Sequence, residues 1–280
     1  MSKENLDNGI ALSTSLCKIT ELVGLSIAPL LIGIIGLSGA IIVDACTFFI
    51  SGLLVVSMYS FDSSVQNDNL SVKNAFKDLK DGFKYIVMDK FILNLCIFGC
   101  IINALVVPFN SLQAPYVDQV LHAGSEATSI MSASIVLSMA IGMLFVPKLK
   151  EKMGGNALFV IGGVLMGGTY CILSLIGNMP SYLVYLALCL DTLLMGIGVV
   201  LINFPLQVSM FKRVPQEYLG RVSALFNALA LCSVPVTSCI IGFISEVLSI
   251  ERLFSAFGLF VVILFVSQVL NKNIKELNQY

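Results

Sequence analysis

Long apolar runs separated by short polar gaps repeat along the whole chain. Eight of them are long enough to matter: Ile10–Leu37, Gly39–Tyr59, Phe91–Gln113, Ser125–Val146, Ala157–Gly177, Tyr182–Met210, Val222–Val247 and Leu253–Leu270. A helix rises about 1.5 Å per residue, so about 20 apolar residues cross the ~30 Å hydrocarbon core of a bilayer. Hydrocarbon gives a backbone no hydrogen-bond partner, so spans of this kind are predicted to be helical. The expected fold class is therefore an all-α integral membrane protein with about eight transmembrane helices. The long gap at 60–90 has a different pattern: Val72, Phe76, Leu79, Phe83 and Ile86 recur at steps of four and three, with Lys73, Lys77, Asp78, Lys80, Asp81 and Lys84 on the other face. That is an amphipathic helix, either lying on the membrane surface or packed on the protein's own loops. The gap is the natural boundary between residues 1–59, with two spans, and 91–280, with six.

Charge fixes the expected orientation. Fourteen of the sixteen Lys and Arg lie in the gaps 60–90, 147–156 and 211–221 and in the two tails. The intervening gaps hold only Arg252, and Lys18 lies inside the first run. Cationic loops stay in the cytoplasm, so both termini are expected inside a multi-pass protein of the cell membrane. The first nine residues are polar, with no cleavable signal sequence following them.

Composition agrees and removes other classes. Hydrophobic residues make up 57% of the chain and charged residues 12%, too few charges to cover a soluble domain of this length. A net charge of −1 speaks against a nucleic-acid partner. The eight cysteines, Cys17, Cys46, Cys96, Cys100, Cys171, Cys189, Cys232 and Cys239, all sit in apolar runs without a Cys-x-x-Cys pair. They read as small buried hydrophobes, and His122 as a solvated loop residue, so no metal site is expected. No His-Glu-x-x-His, Gly-x-Ser-x-Gly or phosphate-binding Gly-x-x-x-x-Gly-Lys-Ser/Thr is present, so neither an enzyme nor a cofactor is expected.

The stretch Leu22–Phe49, with Asp44-Ala45-x-Thr47-Phe48, resembles the fifth and sixth helices of major facilitator superfamily transporters. Asn103–Tyr116 and Val214-Pro215-x-x-x-x-Gly220-Arg221-Val222 are similar to the macrolide-efflux-like and siderophore-exporter-like branch. The resemblance implies a major facilitator-type helical bundle, in which this chain supplies family helices five to twelve. It implies a transporter exporting a hydrophobic small molecule by alternating access, with protons as the coupling ion. Its partners would be the lipid bilayer, that substrate, and the missing first four helices. The alternative is a truncated, non-transporting membrane fragment, or one part of a split transporter. One departure stands out: where the superfamily's antiporters carry Gly-Pro in the fifth helix, Gly24 is followed by Leu25 and proline comes at Pro29.

Candidate functional residues follow from polarity inside spans. Asp191 lies deep in the sixth run, where an unpaired carboxylate costs several kcal/mol if ionised. It either binds a proton or a cationic group, or is held structurally by protonation or a neighbouring helix. Asn103, Asn110 and Asn203, each near a helix-distorting proline, are candidates for lining a substrate cavity. Asn94, Gln113, Gln207 and Asn227 are further polar groups that line a cavity or tie helices together. Asp44, Glu217 and Arg221 are gating or structural candidates: Arg221 opens a span where the helix dipole disfavours a cation, with Glu217 the nearest acid. A plain positive-inside anchor is the alternative reading of Arg221, and Arg213 belongs to the basic loops that read as topology signals. Lys18 and Glu21, three apart, read as an intrahelical pair. Gly163-x-x-x-Gly167 has the spacing for close helix packing.

Overall fold

Among the residues described by the computed structural model, every regular element is helical. These residues are 39, 41–57 and 72–268, together with Leu12, Leu16, Thr20 and Leu277; for 72–79, Ser125, Ser181, Gln216 and Glu217 the backbone alone is described. The run Ile10–Leu37 and the pair Lys18 and Glu21 lie almost wholly outside them. Helix α1 covers Ile41–Ser57, and its residues are exposed throughout. Helix α2 covers Val72–Met88, α3 Lys90–Gln119, α4 Ser125–Met153, α5 Gly155–Ile176, α6 Ser181–Arg213, α7 Gln216–Ser245 and α8 Ile250–Ser267.

Helices α3 to α8 are all long and apolar enough to cross a membrane. Several outrun the apolar runs that predict them: α3 continues past Gln113 to Gln119, and α7 begins at Gln216, before Val222. Helix α4 continues past Val146 to Met153, and α6 past Met210 to Arg213. The reason is electrostatic: Lys150 and Lys152 fall in the last turn of α4, Lys212 and Arg213 in that of α6, where cations complement the helix dipole. Polar residues that end a hydrophobic run thus extend the helix. Pro108, Pro115, Pro147, Pro205 and Pro235 all lie inside helices, a position that neighbouring helices make tolerable in membrane proteins.

The bundle is interleaved: apart from α5 with α6 and α2 with α3, its main contacts skip chain neighbours. Helix α5 packs on both α6 and α8, α4 packs on α6, α3 on α7, and α2 on α7 and α3. Glycines allow these approaches. A β-carbon built on Gly162 would stand 2.7 Å from the Gly198 carbonyl oxygen, and one on Gly198 would stand 2.9 Å from that of Gly162. Gly167 and Gly258 relate in the same way across α5 and α8, and Gly163 lies under the Phe265 ring. The expected Gly163–Gly167 pair therefore does face a helix, namely α8.

Two tyrosines lock α3 to α5 through the core. The Tyr116 hydroxyl donates to the Leu173 carbonyl at 2.6 Å, and the Tyr170 hydroxyl donates to the Leu105 carbonyl at 2.7 Å. Leu173 is among the last four residues of α5, whose carbonyls lack helical partners, so Tyr116 satisfies a group that would otherwise be orphaned. Around them pack Phe159, Phe254, Phe257 and Phe265, with ring centroids 5.1–5.8 Å apart. Outward faces carry exposed apolar side chains such as Phe145 on α4 and Phe243 on α7, as a hydrocarbon solvent requires.

Candidate functional site

Asp191 sits ten residues into α6, about 15 Å from the helix start. It shares its helix face with Val184, Leu188, Met195 and Ile202, all buried. Only 2% of the residue is exposed. Among the described residues, neither of its carboxylate oxygens has a hydrogen-bond partner. A carboxylate so enclosed is stable only with its charge neutralised, by a bound proton or a cation.

The three asparagines behave differently from one another. Asn103 is half-buried and its amide donates to the Gly99 carbonyl of its own helix at 3.0 Å. Asn203 does the same toward Val199 at 2.9 Å. Asn110 is exposed. No hydrogen bond joins any of them to Asp191 or to one another, so the four candidates do not form one polar cluster among the described residues. Gln113 is the polar residue that ties helices together: its amide donates to the Thr128 carbonyl at 3.2 Å and to the Ser132 hydroxyl at 3.1 Å, both on α4. Asp44 is exposed on α1, and its carbonyl accepts a bond from the Thr47 hydroxyl at 2.7 Å.

At the lysine-rich end, four helices meet on Asp89. This residue caps α3 with Oδ1, which accepts from the Phe91 amide at 2.9 Å and the Ile92 amide at 3.4 Å. Its other oxygen, Oδ2, accepts from Arg213 Nε at 3.0 Å. The Arg213 guanidinium also stands 5.9 Å from the Phe91 ring centroid. One turn before the cap, Tyr85 of α2 stacks on Tyr218 of α7, with centroids 4.9 Å apart and rings 12° from parallel. Burial first, then the Asp89 carboxylate, hold the Tyr85 phenol above its ordinary value. Gly82 lets α7 come close, since a β-carbon there would lie 2.9 Å from the Leu225 side chain and 3.2 Å from Cβ of Arg221.

At this junction α2 packs on α7 and α3. Gly82, Tyr85 and Ile86 turn toward the protein, whereas Phe83, Val87 and Met88 stay exposed. The last turns of α2 are thus packed on the bundle, leaving a separate apolar edge outward. Arg221 belongs to the junction through its packing on Gly82, while the side chain of Glu217 lies outside the described residues. Among the described residues, Arg213 and Asp89 form an ion pair at this junction. Asp89 is not among the candidates of the sequence analysis, although an acid just ahead of an apolar run is a capping signal. Its partner 124 residues away leaves no local signal. Lys150 is likewise more than an anchor: it is buried, with its ammonium 5.9 Å from the centroid of the Phe204 ring.

Comparison with known proteins fits this architecture. The family model described as the Major Facilitator Superfamily matches residues 1–238. An uncharacterized MFS-type transporter of Bacillus subtilis (strain 168), YkuC, is 25% identical over 283 aligned residues. That alignment takes in 95% of this chain and 63% of the relative's length.

Proposed function

The chain belongs to the Major Facilitator Superfamily, and on that premise we propose that it acts as a transmembrane transporter, exporting a hydrophobic small molecule by alternating access with protons as the coupling ion. The observation that carries the proposal is the enclosed carboxylate of Asp191, ten residues into α6, with no hydrogen-bond partner among the described residues. An acid in that setting exchanges its neutralising partner when the surroundings open, which is what coupling requires. Resemblance to the macrolide-efflux-like and siderophore-exporter-like branch supports the export direction and the hydrophobic substrate. The charge asymmetry supports a cytoplasmic location for both termini. Asn103, Asn110 and Asn203 are proposed as cavity-lining residues, and Asp44, Glu217 and Arg221 as gating or structural residues.

The test is substrate accumulation in inverted vesicles under an imposed proton gradient. Asp191→Asn is expected to abolish gradient-driven uptake while leaving protein level and insertion unchanged. Normal uphill uptake by that variant would overturn the role given to Asp191. The same assay addresses the second reading, in which transport needs helices beyond these. This reading is favoured by the chain's 63% share of the relative's length. Saturable uptake by the 280-residue chain alone removes that reading, and uptake only when family helices one to four are co-expressed supports it.

A further inference from the structure

Helices α4 and α6 line a groove of about 330 Å³, bounded by Ile141, Gly142, Phe145, Leu149, Leu193 and Ile197 among others. Its one polar lining residue, Ser138, already donates its hydroxyl to the Ile135 carbonyl at 2.9 Å. The groove therefore offers an occupant hydrocarbon contact and nothing else. On α4 the lining runs 138, 142, 145 and 149, in steps of four, three and four. The next member of that stripe is Lys152, and Lys148 follows from Ile141 and Phe145 in the same register. Both lysines are exposed, and Glu151, three residues after Lys148 and so beside it on the helix surface, lies off the stripe formed by 138, 142, 145 and 149. From Leu149 to Ser138 the groove extends eleven residues, about 16 Å, close to one leaflet of a ~30 Å hydrocarbon core.

We propose that this groove is a phospholipid site, holding one acyl chain of an anionic phospholipid whose headgroup rests on Lys148 and Lys152. A hydrocarbon slot one leaflet deep, opening at its end onto two cations, matches the two parts of such a molecule. Basic positions at the ends of membrane helices are where anionic headgroups bind. In the apolar run 10–37, the one acid a covering helix could bring, Glu21, reads as the intrahelical partner of Lys18. Nothing in this inference depends on the transport reading or on Asp191.

The experiment uses the full chain, purified in detergent and offered phosphatidylglycerol or phosphatidylcholine with identical acyl chains, with bound lipid read by native mass spectrometry. Phosphatidylglycerol is expected to be retained about tenfold better than phosphatidylcholine, and Lys148→Gln with Lys152→Gln to bring the two level. Gly142→Leu fills the groove without a backbone clash, because a β-carbon there meets only the Val200 side chain at 3.7 Å. It is expected to remove both lipids at the site. Equal retention by the unsubstituted chain, or a preference that survives loss of both lysines, overturns the proposal. Photo-crosslinking from p-benzoylphenylalanine at position 145 needs no loss of lysine or glycine. A phospholipid adduct supports the site, whereas crosslinking to residues 1–38 of the chain or to a second copy overturns it.

Discussion

Asp89 performs two jobs with two oxygens, and substitutions can separate them. Oδ1 holds the first two amides of α3, and Oδ2 holds Arg213. Asparagine is as good an N-cap as aspartate, while alanine is a poor one, a difference of about 1 kcal/mol. The ion pair is weaker, because its side chains are 41% and 19% exposed: about 0.5 kcal/mol after screening. Asp89→Ala thus loses about 1.5 kcal/mol, and Asp89→Asn only the ion-pair share of about 0.5 kcal/mol. Arg213→Ala loses that share plus its contact with the Phe91 ring, about 1 kcal/mol together.

Hydrogen exchange over residues 90–95 reads this locally, without global unfolding. At 1.4 kcal/mol per factor of ten, Asp89→Ala is expected to speed exchange of the first turn of α3 roughly tenfold. Asp89→Asn is expected to speed it about twofold and Arg213→Ala about fivefold. Exchanging the two charges, Asp89→Arg with Arg213→Asp, restores the pair but not the cap, so recovery stays partial. The reasoning fails if Asp89→Asn exchanges as fast as Asp89→Ala, or if Arg213→Ala has the largest effect of the three.

Other outcomes follow from the packing. Gly162→Ala places a methyl group 2.7 Å from the Gly198 carbonyl and is expected to cost about 1–3 kcal/mol. Gly168→Ala, with no atom within 4 Å of its β-carbon, should leave the melting temperature in detergent unchanged; equal effects would contradict the assigned α5–α6 contact. Tyr170→Phe removes one buried hydrogen bond and is expected to lower stability by about 1 kcal/mol, measured the same way. Reporters inserted near Asn67 and Gly124 should lie on opposite sides of the membrane, and finding both on one side would refute the eight-span arrangement.

How much of this was legible depends on whether the cause is local. Spans are legible because lipid imposes the same demand on every residue of a run, so the apolar stretches and α3 to α8 agree to within a few residues at most ends. The larger differences are at Gln119, Gln216 and Met153; at Met153, as at Arg213, cationic residues that end a hydrophobic run are good residues for a last helical turn. The face of α2 was half legible. Hydrophobicity selects Phe83 and Ile86, yet the packed surface uses Gly82, Tyr85 and Ile86, because a close crossing with α7 needs a residue without a side chain. Gly163 and Gly167 announce themselves by spacing, but nothing in the sequence pairs Gly162 with Gly198. Likewise the tyrosine bonds between α3 and α5 span 57 and 65 residues, and only the fold brings their carbonyls within reach.

The polar residues inside the spans show why one of them stands apart. An amide carries its own donor, and in a low-dielectric core it finds the nearest acceptor, the carbonyl four residues earlier. Asn103 and Asn203 both do so. A carboxylate when ionised has only acceptors, and a helix interior offers no free backbone donor to meet them. Asp191, when ionised, therefore finds no donor in its own helix, whereas an asparagine amide at the same position has a carbonyl to donate to. An amide there is expected to donate to the Ala187 carbonyl in the geometry that Asn103 uses toward Gly99. Asp191→Asn should then fold at least as stably as the parent chain, with an unchanged or raised melting temperature in detergent. This makes loss of transport in that variant a statement about protons rather than about folding. A variant that inserts poorly or melts well below the parent would show instead that another group, bound to the carboxylate in the folded protein, supplies the stability.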